Sequence, residues 1–376
     1  MILGFDAKRF FHNKTGLGNY SRDLIRILAQ YHPENSYLLY NPKPKKIDRI
    51  PIDGKIIIEH LPDSKKNKKL SSLWRLFSIC LQIKKDKVEL FHGLSGEIPI
   101  GLHKTGIKTV VTIHDLIFMR YPNLYSYFDC KIHYYKFKYA ANKADLVIAI
   151  SEQTKKDIVT YLNINPDKIK VIYQGCAPIF KKEIPNEFLE ITRSKYQLPT
   201  QFILNVGTIE TRKNVLSVIK AIKEIETQLV IIGKKTAYFK EINSYILENN
   251  LQNKVIFIEN VELKELASIY RMATVFIYPS VFEGFGIPII EALYSNTPVI
   301  TSKGGCFSEA GGENSIYIDP LNPDELKIEL TELLVNSGKR EAMKEKGLEF
   351  VQKFNDENIA SNWIDTYNKI LKIQLP

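Results

Sequence analysis

Residues 273–301, ATVFIYPSVFEGFGIPIIEALYSNTPVIT, constrain the fold more than any other part of this 376-residue chain. The stretch opens on a short apolar, β-branched and aromatic run, 274–278, which reads as a buried strand. Pro279 and Ser280 make a turn. Glu283, Gly284, Phe285 and Gly286 form a loop, and Pro288 suits the first turn of a helix. That helix carries Glu291 and stops near Asn296, and 297–301 reads as the next strand. A strand, loop, helix and strand in this order predict neighbouring parallel strands, whose carboxyl-end loops are where open sheets bind ligands.

The eight-residue spacing of Glu283 and Glu291 has little weight alone, because Glu89/Glu97, Glu341/Glu349 and Glu349/Glu357 share it. Context separates the first pair. Glu283 falls in a loop whose glycines let a ligand approach the backbone, and Glu291 falls in the helix behind it. The competing reading makes Glu283 a helix cap and Glu291 a solvated side chain.

The same alternation fills the chain. A strand at 2–6 runs into HNKTGLGNYSRDLIRILAQY, where Gly16 and Gly18 precede a helix; amides freed by glycine at a helix start can cradle phosphate. Strands are expected near 37–40, 55–59, 88–91, 107–113 and 146–150, with helices between them. Pro178, Pro185 and Pro199 break the pattern at 176–200, a linker. FILNVGTIETRKNVLSVIKAI restarts it, with a turn at Gly207 and a helix from near Asn214. The reading is α/β with two Rossmann-like domains. Residues 1–178 form the first and 179–356 the second, and a further helix is expected over 357–376.

Four scattered cysteines without a CxxC pair indicate neither a disulfide framework nor a zinc site. No apolar run approaches the roughly 20 residues of a membrane helix, and the expected location is the cytoplasm. The net charge of +10 is uneven: residues 1–178 carry 29 basic against 16 acidic side chains, the remainder 23 against 26. An anionic partner, such as a lipid surface or lipid-diphosphate acceptor, would suit the first half, as would a merely solubilising surface. No nucleic-acid module is visible. The segment 70–85, LSSLWRLFSICLQIKK, reads as a helix with apolar residues on more than one stripe and lysines at both ends. That suits either a buried helix or an interfacial one.

Two further sites carry chemistry. His114 and Asp115 end an apolar strand, and an imidazole titrating near neutrality there could donate a hydrogen bond or act as acid or base. His92 is the weaker candidate. Arg212 and Lys213 sit at a strand-to-helix turn, where paired cations can neutralise a departing diphosphate.

The pattern PS-x-x-EGFG-x-P-x-x-EA resembles the signature of retaining glycosyltransferase family 4, and the resemblance extends over nearly the whole chain. It implies the GT-B fold, two Rossmann-like domains facing across a cleft with the C-terminal helix crossing back to the first. It implies a nucleotide sugar donor held by Gly16, Gly18, Gly207, Arg212, Lys213, Glu283, Gly284, Phe285, Gly286 and Glu291. Glu291 would take the ribose hydroxyls, Glu283 the sugar hydroxyls, Arg212 and Lys213 the diphosphate. His114 would lie near the reacting centre, with His114, Glu283, Arg212 and Lys213 as catalytic residues. No cofactor or metal is expected, since no aspartate pair is apparent. VGTIETRKN with THDL most resembles the bacterial mannosyltransferase-like branch, which suggests GDP-mannose and a glycan or lipid-linked acceptor in surface polysaccharide assembly. Relatives often press a helix like 70–84 onto the membrane. Thr208 stands where many relatives have Arg, Asn296 where they usually have Gly, and Ser308-Glu309 where they have Pro-Glu. A non-hydrolysing sugar-nucleotide epimerase shares the architecture. A non-catalytic sugar-nucleotide or glycolipid-binding scaffold is a third reading, though it would be expected to lose some of these side chains.

Overall fold

The computed structural model describes residues 1–13, 15–45, 54–63 and 69–372. Lys46, residues 65–68 of the lysine-rich loops, and residues 373–376 of the expected C-terminal helix lie outside it. The chain divides into two compact units, Met1–Gly175 with Phe354–Pro376, and Cys176–Lys353.

The first unit is built on seven parallel strands: β1 (Ile2–Asp6), β2 (Ser36–Tyr40), β3 (Ile57–His60), β4 (Leu90–Gly93), β5 (Lys108–Ile113), β6 (Leu146–Ala149) and β7 (Ile169–Val171). Their spatial order is β3-β2-β1-β4-β5-β6-β7. Helices cover both faces, so the central strands are apolar throughout instead of alternating. The order reverses between β1 and β4, which places the carboxyl ends of those strands at a topological switch point.

The helix Asp356–Lys372 belongs to this unit. Ile359, Ala360, Trp363, Ile364, Tyr367 and Ile370 recur every three or four residues and enter one core with Leu24, Ile25 and Leu28 of the helix Gly16–Tyr31. Each large apolar side chain buried this way contributes roughly 1.5–3 kcal/mol, which is how the end of the chain is tied to its beginning.

Segment 70–85 is not one regular helix. A turn at Ser71–Leu73 leads into a π-helical stretch, Trp74–Ser78, and then an α-helix, Ile79–Lys85. Trp74 is buried in a core with Ile79 and Ile83, whereas Leu70, Leu73, Phe77 and Leu81 are exposed. Trp74 is therefore a core residue, and the outward stripe is leucine and phenylalanine.

The second unit carries six parallel strands: β8 (Ile203–Val206), β9 (Leu229–Ile232), β10 (Val255–Ile258), β11 (Val275–Tyr278), β12 (Val299–Ser302) and β13 (Ile316–Ile318). Their order is β10-β9-β8-β11-β12-β13. Its switch point lies between β8 and β11, whose following loops carry Gly207 to Lys213 and Pro279 to Gly286. The helix after the second loop, Ile287–Tyr294, starts behind Gly286 at φ +114 with proline in its first turn. It ends before Asn296, whose φ of +59 is a left-handed conformation. Asparagine tolerates that conformation, which accounts for its standing where glycine is usual.

Candidate active site

In the second unit the two switch-point loops are stitched together. The amide of Val281 donates to the Arg212 carbonyl at 2.9 Å, and the Ser280 hydroxyl oxygen lies 3.2 Å from the same carbonyl. From below, the Thr301 and Ser302 hydroxyls of β12 donate to the carbonyls of Tyr278 and Ser280, at 2.8 and 2.7 Å. The Cys306 thiol donates to the Glu283 carbonyl at 3.2 Å.

On this frame four groups converge on Oε1 of Glu283. Lys213 Nζ lies at 2.6 Å and Arg212 Nη1 at 2.7 Å. The Ser280 and Tyr278 hydroxyls donate at 2.5 and 3.1 Å. Arg212 also pairs with Glu210 at 2.7 Å, and Lys213 donates to the Tyr278 hydroxyl at 2.6 Å. Burial opposes the charge on Glu283, but Lys213 and Arg212 outweigh it and draw the carboxyl down to about 2. Glu283 is thus a fixed anion paired with Arg212 and Lys213, and Glu210 pairs with Arg212 beside it.

Glu291 is the opposite case. Its Oε2 accepts one hydrogen bond, 3.2 Å from the Tyr270 hydroxyl, and burial lifts it to about 7. Two carboxyls eight residues apart are pushed in opposite directions, a separation characteristic of sites that assign different roles to similar groups.

Gly207 has φ +153, which favours glycine. A Cβ on Gly233, at the end of β9, would lie 1.8 Å from the Gly207 carbonyl oxygen, so two glycines make this strand edge. Gly233 could have been found from its place directly after an apolar strand. Tyr278, Ser280, Tyr270 and Cys306 were not found, because nothing in their spacing announces that they face Glu283 or Glu291. Gly284, Phe285 and Gly286 lie in the same loop, and the Phe285 side chain is buried.

In the first unit the expectations for Gly18 and His114 need correction. The Gly18 amide donates to the Thr15 carbonyl at 3.0 Å, so it closes the first helical turn. A Cβ there would lie 1.9 Å from the Asn13 carbonyl oxygen, whereas one on Gly16 would meet nothing. Gly18 is a close-packing glycine. Arg22, buried, holds the same loop by donating to the carbonyls of Phe10 and Asn13 at 2.7 and 2.9 Å.

His114 does not titrate near neutrality. Burial lowers it to about 4, and Nε2 lies 2.9 Å from the Leu94 carbonyl. A carbonyl only accepts, so the neutral ring carries its proton on Nε2, leaving Nδ1 as an acceptor. The Thr154 hydroxyl donates to the His114 carbonyl at 3.1 Å, and the Tyr20 ring stands edge-on at 4.5 Å. His92 is fully buried and lowered to about 3, which removes it as an acid or base.

Two family descriptions match consecutive parts of the chain: Glycosyltransferase Family 4 over residues 15–178 and Glycosyl transferases group 1 over residues 190–350. The O-antigen chain mannosyltransferase B of Escherichia coli is 25% identical over 98% of this chain and 99% of its own. Among solved structures, sucrose-phosphate synthase of Thermosynechococcus elongatus matches all of both chains with a TM-score of 0.80 at 20% identity. Anabaena HepE in complex with UDP-glucose matches 98% of this chain and 99% of its own, with a TM-score of 0.76 at 17% identity. These matches, over two parallel Rossmann-like sheets, make the chain a member of glycosyltransferase family 4, the group 1 glycosyl transferases, with the GT-B fold.

Proposed function

We propose that this protein is a retaining, metal-independent hexosyltransferase. It moves a sugar, mannose as first choice, from a nucleotide diphosphate donor to a glycan or lipid-linked acceptor of a bacterial surface polysaccharide. The observation that carries the reading is the convergence of Arg212 and Lys213 on Glu283 at the switch point of the second unit. The name of the Escherichia coli relative supports mannose and O-antigen, and the HepE complex supports a nucleotide sugar as donor.

In this reading the second unit holds the donor. Glu291 accepts the ribose hydroxyls, and Glu283 with the Gly284–Gly286 backbone orients the sugar. Arg212 and Lys213 stabilise the charge that grows on the departing diphosphate, so they lower the barrier more than they tighten ground-state binding. A double displacement needs a free carboxylate beneath the anomeric carbon. Oε1 of Glu283 is held by two cations and two hydroxyls, which commits this carboxylate to its place in the loop and favours attack on the same face as the leaving phosphate. In this reading Arg212 and Lys213 act in a metal's place. Activity is expected to survive EDTA, and complete loss on chelation would count against this part.

The basic first unit takes the acceptor, with His114 offering Nδ1 as a hydrogen-bond acceptor to a substrate hydroxyl. No described helix is long and apolar enough to cross a membrane. The exposed Leu70, Leu73, Phe77 and Leu81 support attachment of segment 70–84 to an anionic cytoplasmic membrane face, tested by flotation with anionic liposomes at low salt.

The deciding experiment is thermal stability against GDP, GDP-mannose, UDP and UDP-glucose, wild type beside Glu291→Ala. A ligand at 100 times its Kd stabilises by about 2.7 kcal/mol. A GDP-mannose shift lost in the variant is expected. A shift with UDP compounds alone would discard mannose, and no shift with any nucleotide would count against the donor site.

A further inference from the structure

We propose that Tyr367, His92, Thr112 and Tyr20 are positioning residues for His114, forming a relay through which the C-terminal helix sets the orientation of that imidazole. The inference rests on the reading of His114 as a group that meets substrate.

The relay is continuous and lies within the first unit. The Tyr367 hydroxyl, on the helix Asp356–Lys372, lies 2.8 Å from Nδ1 of His92, a residue 275 positions earlier. Nε2 of His92 lies 2.8 Å from the Thr112 hydroxyl on β5. The Tyr20 hydroxyl lies 3.3 Å from the same oxygen. The Tyr20 ring then meets the His114 ring at 4.5 Å and 86°. His92, Thr112 and Tyr367 are fully buried and Tyr20 nearly so. A neutral His92 has one N–H and one lone pair, and each hydroxyl can donate or accept. The three contacts can therefore be hydrogen bonds with the protons running in either direction.

Its geometry supplies what His114 otherwise lacks. The bond to Leu94 holds Nε2, and one hydrogen bond does not by itself fix the plane of an imidazole. The perpendicular Tyr20 ring supplies that constraint, and Tyr20 keeps its place through Thr112. Trp363, one turn before Tyr367, packs on His92 at 4.9 Å, so the last helix grips the relay twice. An apolar core alone would need none of these four polar groups, and buried polar groups are tolerated only when fully partnered.

The test uses the full chain with ¹⁵N-labelled histidine, the His114 signals being assigned by loss in His114→Gln. Wild type is expected to show one neutral tautomer of His114, protonated on Nε2, from pH 6 to 8. Tyr367→Phe and Thr112→Val keep the core filled but break the relay, and each is expected to shift or average the His114 nitrogen signals. Tyr37→Phe is the control: that hydroxyl bonds the Leu28 and His32 carbonyls in the same core, and its loss should leave His114 unchanged. In parallel, transfer is followed from the nucleotide sugar giving the largest thermal shift to a bacterial membrane lipid extract. The relay variants should lose between about 10- and 100-fold in kcat, the scale of a misplaced reacting group, with little change in donor KM. Unchanged His114 signals in both folded relay variants would overturn the relay. Shifted signals with wild-type kcat would sustain the relay and overturn the placement of His114 at the reacting centre.

Discussion

The two switch points answer one problem in opposite ways. In the second unit the edge between β8 and β11 is held by charge: Glu283 fixed as an anion, Arg212 and Lys213 as cations, all within 2.7 Å of one oxygen. In the first unit His92 on β4, beside the switch point, and His114 at the end of the neighbouring β5 are kept neutral, among aromatic rings and hydroxyls. A charged edge suits a diphosphate leaving group. A neutral edge suits hydroxyls, which need donors and acceptors without competing charge. The same order of the first six strands in each sheet thus supports opposite electrostatics, because the side chains beyond the strand ends set the field.

The largest effect should come from breaking the charged edge. Glu283→Gln leaves two half-buried cations facing a neutral amide and is expected to cost up to about 3 kcal/mol of stability, read by chemical denaturation. The freed cations should still bind GDP or UDP at least as tightly as wild type while sugar transfer is lost. A variant as stable as wild type would show that the ion pairs are incidental.

Next, Lys213→Met and Arg212→Met should each lower kcat by about 10²–10³-fold, the usual cost of removing one transition-state donor. Steady-state kinetics with equal loss in kcat and kcat/KM would mark a contact made in the transition state. A change confined to KM would mark ground-state binding instead.

Acidity sharpens the contrast further. Glu291, raised to about 7 from 4.5, takes up a proton on folding between those values. It therefore makes the second unit less stable as pH rises through that window. His114, lowered to about 4 from 6.5, makes the first unit more stable as pH rises from 4 to 6.5. Ribose hydroxyls donate to an ionised carboxylate, so donor affinity should fall by about tenfold per pH unit below 7. Calorimetry should find that dependence abolished in Glu291→Gln and intact in His114→Gln.

The smallest effects lie in the glycines. Gly18→Ala drives a Cβ into the Asn13 carbonyl and should cost about 1–3 kcal/mol. Gly16→Ala has open space and should be neutral or stabilise by up to about 1 kcal/mol. Equal melting temperatures for the two would dismiss Gly18 as a packing residue.

Much of this was legible in the residues. The alternation gave both sheets and the last helix, but the stretch 176–200, expected as a linker, belongs to the second unit and folds as the helices Pro178–Lys181 and Asn186–Tyr196. Gly-Phe-Gly with Pro288 gave the loop and helix around Glu283 and Glu291, and Arg212-Lys213 marked the other loop. The π-helical stretch at Trp74–Ser78 was not legible, because its apolar residues fit an α-helix as well.

By itself, then, the sequence determined the element order, the parallel sheets and which loops carry chemistry, since these follow from local periodicity and chain connectivity. Tertiary structure alone decided which groups are charged. Glu283 and Glu291 are the same residue type in one motif, yet they lie near 2 and near 7. The difference is that one receives cations from a loop 70 residues earlier, while the other receives a tyrosine hydroxyl. The same reason removed His114 from neutral titration and gave Gly18 its packing role. Desolvation and steric contact depend on neighbours distant in the chain, and no local pattern encodes them.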